Sequence, residues 1–150
     1  MQTVGHHEDD EEQMNIIAGL KKLLEPYNVL EVGCGHKRFA SLFEHYVGID
    51  SDYLMYPDFI VDVCAGKLDF TDKSFDMVLS VTTLMHNSDV RSALAEIARI
   101  AKRYIVLIEA YRWIGRARPH DYNFVGFDKI LELRLTTLNS PLGLWLFKRR

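Results

Sequence analysis

Five short apolar runs, separated by polar or loop-forming segments, constrain the fold of this chain more than any other feature of its sequence. They are rich in Val, Ile and Phe and occupy residues 29–32, 46–49, 59–63, 75–81 and 104–110. Apolar runs of this kind are typical of strands covered on both faces, as in a parallel sheet with helices packed on each side. The sequence therefore predicts an α/β fold with a doubly wound, mostly parallel sheet.

Helical periodicity marks two further segments. Apolar residues recur at helical spacing over residues 11–25, and Pro26 should end that helix. The clearest helix between two of the predicted strands covers residues 88–103. Residues 1–10 lack apolar periodicity, so we expect a mobile acidic tail there, ahead of a single domain over residues 11–150.

The end of the chain has a different pattern. Apolar and polar residues alternate strictly over 131–136, which is typical of a strand buried on one face only and therefore of an edge strand. The turn-forming residues Asn139, Ser140 and Pro141 precede a last apolar run at 144–147. The sequence thus predicts a terminal antiparallel hairpin.

Length and charge exclude several classes of protein. With 150 residues and a net charge of −3, the chain is sized for one domain, and five acids within residues 8–12 leave a charge of +2 on the rest. A near-neutral body gives no electrostatic case for nonspecific nucleic-acid binding. Cys34 and Cys64 form no CxxC pair, and no apolar run approaches the roughly 20 residues that cross a bilayer. We expect a cytoplasmic protein without a structural metal, a disulfide framework or a membrane segment.

A candidate ligand site lies at the end of the first predicted strand. Glu31 is followed at once by the turn Gly33, Cys34 and Gly35, at the edge of the sheet where α/β proteins bind ligands. Glycines let a backbone approach a ligand closely, and a carboxylate here suits a ligand with an ammonium group while repelling phosphates. The dinucleotide pattern GxGxxG would need glycine where Arg38 stands, which disfavours a dehydrogenase. A tight turn without a ligand is the alternative.

Two further carboxylates follow the next strands. Asp50 ends the second strand, where an acid can accept hydrogen bonds from both hydroxyls of a ribose. Asp62, followed by Val63, is placed near the end of the third strand to meet an adenine edge. The alternative is structural for each acid, and for Asp50 it is a turn or a helix cap.

In combination, these residues resemble class I S-adenosylmethionine-dependent methyltransferases, in particular the type 11 methyltransferase domain. The resemblance covers residues 29–109 and rests on VLEVGCG, YVGID, FIVDV, SFDMVLSVTTLMHN and YIVLIEA, and the terminal PLGLWLF is also similar. It implies a Rossmann-like sheet of strand order 3-2-1-4-5-7-6 with an antiparallel seventh strand. It also implies S-adenosylmethionine as the methyl donor and S-adenosylhomocysteine as the product.

The resemblance also implies a role for individual residues of this chain. Glu31 would face the methionine ammonium, and the remaining cofactor-binding residues would be Gly33, Cys34 and Gly35 beneath the cofactor, Asp50 and Ser51 at the ribose, Asp62 and Val63 at the adenine, and Ser80 and Val81 beside the methionine. Two departures predict a more open cofactor pocket. Lys37 stands where the family commonly has a third glycine, and residues 51–58 are too few for the usual helix.

Methyl transfer from a sulfonium mainly needs an acceptor held in line, so no metal is required. A base is needed only if the acceptor must lose a proton. His86, in the loop after the fourth strand, is the candidate for that base or for an acceptor-orienting group, and its alternative role is to cap or pack at the start of the next helix. Glu109, Tyr111 and His120 follow the fifth strand and either line the acceptor side or are structural.

The acceptor itself is less constrained by the sequence. Residues 111–122 mix arginines with aromatic residues, a surface that could hold a sugar nucleotide, a phosphorylated metabolite or stacked bases, or simply form a solvated loop. Little sequence is left to enclose a small acceptor. Either the acceptor is therefore large, or a second subunit of a homodimer or a partner protein completes the site. The leading hypothesis is methyl transfer to a metabolite or glycan-like intermediate. The alternatives are a noncatalytic module that acts through a partner, and an RNA or protein methyltransferase.

Overall fold

The computed structural model describes residues 5–136 and 140–150, and all five apolar runs contribute strands to one sheet. In chain order the helices and strands are α1 (Gly5–Leu24), β1 (Asn28–Val32), β2 (His45–Asp50), β3 (Phe59–Ile60), β4 (Phe75–Val81), α2 (Arg91–Ile100), β5 (Ala101–Ala110), β6 (Phe127–Arg134) and β7 (Leu142–Arg149). Three single 3₁₀ turns, at Ala40–Leu42, Tyr53–Met55 and Leu84–His86, lie in the connections.

The seven strands have the order β3-β2-β1-β4-β5-β7-β6, which confirms the predicted topology. Strands β1 to β5 pair in parallel, whereas β7 is antiparallel to both β5 and β6. The chain builds one half of the sheet through β3 and then crosses to β4, which lies on the other side of β1. Residues Val32 and Ser80 are partners across this junction, so the carboxyl ends of β1 and β4 meet where a ligand is expected.

Apolar side chains cover both faces of the sheet, as the strand composition predicts. On one face Leu30 and Val78 pack in a cluster with Ile97 of α2, and on the other Met77 packs in a cluster with Ile17 of α1. All five side chains are at most 1% exposed. Burying one side chain of this size stabilises the fold by roughly 1.5–3 kcal/mol, so the two helices fix the sheet from opposite sides.

The first helix begins earlier than the sequence predicts. Residues 5–10, expected in a mobile tail, belong to α1, and residues 1–4 lie outside the described part of the chain. Tertiary contacts explain the difference: Asp10 pairs with Arg38 at 3.1 Å, and Asp9 is buried and accepts a hydrogen bond from Ser140 Oγ at 3.4 Å. The helix ends at Leu24, shortly before Pro26, as expected.

Other boundaries also differ from the expectation. Helix α2 covers Arg91–Ile100 and not 88–103, because the chain from Ala101 onward pairs with β4 as the start of β5. Strand β3 is limited to Phe59–Ile60, and residues 61–63 leave the sheet.

The terminal hairpin forms as predicted between β6 and β7, although the predicted turn residue Asn139 lies outside the described residues. Strand β6 is the edge strand, but Leu133 on its apolar side remains 47% exposed, so this side is only partly covered. No helix in the described ranges is both long and apolar enough to cross a bilayer.

Candidate active site

A cavity of about 410 Å³ opens at the carboxyl edge of the sheet, and we refer to it as the first cavity. It lies beside the junction of β1 and β4. Most of the residues predicted to bind a cofactor line it, together with the predicted His86: Gly33, Gly35, Asp50, Ser51, Asp62, Val63, Val81 and His86. Residues Val61, Thr82, Thr83 and Asn87 complete the wall and were missed in the sequence, where no local pattern distinguishes them.

The turn after β1 depends on glycine for two different reasons. Gly33 and Gly35 both have positive φ angles, +67° and +52°, which favour glycine. At Gly33 a Cβ atom would also lie 2.1 Å from Thr83 Oγ1, whereas at Gly35 it would meet no atom within 4 Å. Thr83 Oγ1 donates a hydrogen bond to the Gly33 carbonyl at 3.2 Å, so the turn and the loop after β4 are held in direct contact.

Lys37 has a φ angle of +56°, in the same left-handed region that favours glycine. This conformation gives a physical reason for the glycine that the family commonly has at this point. The Lys37 ammonium lies 3.5 Å from the carboxylate of Asp58. The departure from the family pattern is therefore accommodated, at the cost of a strained backbone angle for a residue with a Cβ.

Asp50 connects the end of β2 to the glycine turn. Its Oδ2 accepts a hydrogen bond from the backbone N–H of Gly35, and its Oδ1 accepts one from Asp52, both at 2.9 Å. These two hydrogen bonds fix the carboxylate in the cavity wall. They correspond to the turn-forming role that the sequence analysis gives as the alternative for Asp50. A carboxylate has about four acceptor positions, so Asp50 can still accept hydrogen bonds from the hydroxyls of a ligand.

Asp62 and Val63 lie in the segment that leaves the sheet after β3. The side chain of Asp62 is exposed, and its Oδ1 accepts a hydrogen bond from the backbone N–H of Cys64 at 2.9 Å. Such a local hydrogen bond stabilises a turn and competes with strand pairing, which explains why β3 is short. Val63 is buried but contributes to the cavity wall.

Glu31 lies outside the wall of the first cavity. It is 2% exposed and accepts a hydrogen bond from the hydroxyl of Tyr46. Burial raises the pKa of Glu31 from 4.5 to about 8, against the opposing effects of Tyr46 and the Arg38 guanidinium. The carboxyl is therefore mostly protonated at neutral pH. To pair with the ammonium group of a ligand, the role expected from the sequence, Glu31 has to lose this proton when the ligand binds.

Cys34 and Ser80 are also absent from the wall of the first cavity. Cys34 is 5% exposed, and burial raises the pKa of its thiol to about 12. Its backbone N–H donates to the Ile49 carbonyl at 2.9 Å, which ties the turn to β2. Ser80 is fully buried and donates from Oγ to Glu109 at 2.8 Å. Both residues therefore stabilise the segments that form the cavity wall without lining the cavity themselves.

Glu109 holds the loop that follows β4. Its fully buried carboxylate accepts hydrogen bonds from the backbone N–H groups of Thr83, Leu84 and Met85 at 3.1–3.2 Å. Burial raises the pKa of Glu109, and these donors oppose the rise. Of the two roles that the sequence leaves open for Glu109, this geometry is the structural one, and it fixes the loop that carries His86.

His86 is exposed at the end of the 3₁₀ turn Leu84–His86 and contacts more than one cavity. A second cavity of about 310 Å³ adjoins the first, and the two share Thr82 and His86. The rest of the second wall comes from α1, Arg38 and the segments around β5 and β7: Asp9, Asp10, Gln13, Arg38, Met85, Ile114, Ala117, Ser140 and Leu142. The sequence did not indicate this cavity, because the start of α1 was expected to be a tail.

Tyr111 and His120 are not part of either cavity. They line a separate depression of about 380 Å³ with Arg134, and His120 Nε2 lies 2.9 Å from the Asn87 carbonyl oxygen. The arginines of residues 111–122 line neither cavity, and the Arg118 guanidinium stacks 5.0 Å from the centre of the Trp113 ring. The described residues contain no cluster of three or more His, Cys, Asp or Glu side chains that could hold a metal ion.

Solved structures of low sequence identity share this fold. Magnesium protoporphyrin IX methyltransferase from Synechocystis PCC 6803, with bound S-adenosylhomocysteine, is 15% identical with a TM-score of 0.73, and the match covers 100% of this chain and 89% of that chain. The N-methyltransferase NodS from Bradyrhizobium japonicum WM9 is 14% identical with a TM-score of 0.71, covering 93% and 96% of the two chains. The cyclase SpnF is 13% identical with a TM-score of 0.72, covering 92% and 80%. These likenesses establish the fold, and the cyclase shows that the fold alone does not fix the reaction.

No protein of the curated set is significantly similar in sequence. A family model described as a methyltransferase domain matches residues 30–107, which is more than half of the chain. This range contains the glycine turn, Asp50, Asp62 and the loop with His86, and thus every predicted residue of the first cavity. The chain belongs to the methyltransferase domain family.

Proposed function

We propose that this protein binds S-adenosylmethionine in the first cavity and transfers its methyl group to a small-molecule acceptor. The observation that carries the proposal is the wall that the two cavities share. Thr82 and His86 border both, so a donor in one cavity and an acceptor in the other would meet at these residues. A metabolite or a small glycan-like intermediate suits the size of the second cavity, about 310 Å³.

The first cavity fits this donor in size and in chemistry. Its volume of about 410 Å³ falls in the usual range of roughly 300–1,000 Å³ for small-molecule sites. The space beside Gly35 is open, so a ligand can approach the backbone of the turn. Asp50 offers a fixed carboxylate to the ribose hydroxyls, and Asp62 with Val63 offers a polar and an apolar contact for the adenine.

Glu31 would stabilise the methionine ammonium of the donor after losing its proton, with Ser80 supporting the adjacent strand end. When bound, S-adenosylmethionine supplies an electrophilic methyl group: the acceptor lone pair bonds to its carbon, the electron pair of the broken carbon–sulfur bond stays on the neutral thioether, and any acceptor proton is released. His86 would take that proton or orient the acceptor. Proton transfer of this kind typically contributes about 10²–10⁴-fold to the rate, and positioning contributes roughly 7–11 kcal/mol.

Transfer of a labelled methyl group from S-adenosylmethionine to a panel of small acceptors tests the proposal. We expect turnover with at least one acceptor, and His86→Gln should lower kcat by a larger factor than it weakens the binding of S-adenosylhomocysteine. Glu44→Gln is the matched control, since Glu44 is exposed and borders neither cavity. Binding of S-adenosylhomocysteine by a protein that methylates no acceptor in the panel would contradict the enzyme role.

One observation favours a noncatalytic module as the second candidate. Glu31 is buried, mostly protonated and outside the first cavity, so the free protein does not present the charge that should recognise the donor. Such a module would act through a partner protein and would bind S-adenosylhomocysteine weakly or not at all. Calorimetric titration of the protein with S-adenosylhomocysteine, carried out before the acceptor panel, distinguishes the two candidates.

A further inference from the structure

Thr82 has an unusual backbone conformation for its residue type. Its φ angle is +51°, and it is the one β-branched residue with a positive φ angle among residues 5–136 and 140–150. A positive φ angle is uncommon for any residue with a Cβ atom and is a genuine outlier for a β-branched one. Glycine adopts this conformation without strain, so the threonine side chain at this position needs an explanation.

The fold explains the bend at Thr82 but not its side chain. The Thr82 N–H donates to the Ile108 carbonyl at 2.7 Å, directly after the last pair of β4 and β5. The next residue, Thr83, donates its N–H to the Glu109 carboxylate and its Oγ1 to the Gly33 carbonyl. The chain is therefore fixed on both sides of the bend, and only the backbone of Thr82 takes part.

The hydroxyl of Thr82 is available to a ligand. Within the part of the chain that the structure describes it has no hydrogen-bond partner, and it is not among the fully buried polar atoms. Thr82 is half-buried and borders both cavities. A threonine hydroxyl has one donor and two acceptor positions. The strained residue thus has an unused hydrogen-bonding group at the boundary of the two cavities.

The proposed function determines what this hydroxyl would meet. A methyl group can pass from a donor in the first cavity to an acceptor in the second only if the positively charged sulfur that carries it lies beside the shared wall. Asp50 and Asp62 line the first cavity but not the second, and Glu31 lines neither. Of the two shared residues, His86 loses its lone pair when it takes up a proton, whereas Thr82 keeps its oxygen lone pairs. An oxygen that faces a positive charge stabilises it, and more strongly where water is excluded.

We propose that Thr82 distinguishes the charged donor from the neutral product, because its hydroxyl oxygen stabilises the sulfonium of S-adenosylmethionine and the strained backbone angle holds it at the boundary. S-adenosylhomocysteine lacks the methyl group and the positive charge, so it does not gain this interaction. The contact therefore favours the replacement of product by donor after each turnover. This inference rests on the proposed function, but it is measured by binding alone.

Calorimetric titration of the whole chain with S-adenosylmethionine and with S-adenosylhomocysteine gives the ratio of the two dissociation constants. Thr82→Val keeps the β-branch and removes the hydroxyl, so it should shift this ratio against S-adenosylmethionine by roughly two- to tenfold, the effect of one hydrogen bond. Thr82→Ser keeps the hydroxyl and should retain the wild-type ratio, as should Glu44→Gln. An unchanged ratio in Thr82→Val, or an equal shift in Thr82→Ser, would overturn the inference.

Thr82→Gly separates a role in binding from a role in folding. It relieves the strain of the left-handed conformation, so the Tm of the free protein should rise by about 2–4 °C. The ratio of the dissociation constants should shift as it does in Thr82→Val. A lower Tm of Thr82→Gly would show that the fold itself requires the threonine side chain, and it would contradict a functional reason for the strain.

The two proposals fail in different ways. If the wild type binds neither S-adenosylmethionine nor S-adenosylhomocysteine, the proposed function fails, and the role of Thr82 fails with it. If the wild type binds both and Thr82→Val has the same ratio of dissociation constants, the first cavity stands as the donor site and the role of Thr82 is wrong.

Discussion

Both carboxylate oxygens of Glu109 lie 3.1 Å from the backbone nitrogen of Thr83, so the end of β5 holds the loop that follows β4. Neighbouring N–H groups of this loop donate to the same carboxylate. The loop borders both cavities through Thr82 and His86. A buried carboxyl group that touches neither cavity thus determines the geometry between them.

Glu109→Gln should lower the free energy of unfolding by about 2–4 kcal/mol, because an NH₂ group would then replace one of the two oxygens that accept from the backbone N–H groups. Ser80→Ala removes one donor from the same carboxylate and should cost only about 1 kcal/mol. Urea unfolding followed by circular dichroism measures both. Equal unfolding midpoints for the wild type and Glu109→Gln would show that the carboxylate does not hold the loop.

Gly33 and Gly35 provide a matched pair for the glycine turn. Both substitutions to alanine strain a positive φ angle, which costs roughly 1–2 kcal/mol. Only the Cβ atom at position 33 would also collide with Thr83, at 2.1 Å. Gly33→Ala should therefore be more destabilising than Gly35→Ala by about 1–3 kcal/mol, the usual cost of overpacking. Similar unfolding midpoints for the two variants in thermal denaturation would contradict the close contact of the two loops.

Glu31 should make the protein less stable as the pH rises. Its pKa is about 8 in the folded state and 4.5 as its ordinary value, so the folded protein keeps a proton that the unfolded chain releases. The stabilising contribution is complete below pH 4.5 and is lost as the pH rises through 8. Each pKa unit corresponds to about 1.4 kcal/mol. Glu31→Gln should remove this dependence between pH 5 and 8.5, as measured by urea unfolding, and an unchanged pH profile in that variant would disprove it.

The raised pKa of Glu31 also predicts that ligand binding releases a proton. If the methionine ammonium ionises Glu31, binding of S-adenosylhomocysteine at pH 7 should release up to one proton, and the affinity should increase towards pH 8. Calorimetry in two buffers of different ionisation enthalpy counts the protons. Glu31→Gln should release none, and equal proton release by this variant and the wild type would place the titrating group elsewhere.

The strands of the sheet could be predicted from the sequence, whereas the start of α1 could not, and the reason is physical. Met77 and Val78 are buried on opposite faces, so β4 is recognisable from composition alone. The start of α1 depends on Asp10 and Arg38, which are 28 positions apart, and no local pattern reports such a pair.

The candidate site shows the same division. Asp50 was recognisable because it directly follows a strand, and it lines the first cavity. Thr82 carries no chemical signal, and its place between the two cavities follows from how β4 and α1 pack. Glu31 was recognisable as an acid at a strand end, but its hydrogen bond from Tyr46 of the neighbouring strand and the burial that raises its pKa depend on how the strands pack.

Thermal unfolding with S-adenosylhomocysteine, with NAD as the comparison ligand, tests the central claim most directly. A ligand at about 100 times its dissociation constant adds about 2.7 kcal/mol of stability, so the wild type should show a clear increase in Tm with S-adenosylhomocysteine and none with NAD. Asp50→Asn should lose most of that increase, and Glu44→Gln should keep it. An unchanged Tm of the wild type at millimolar S-adenosylhomocysteine would contradict the assignment of the first cavity as a donor site.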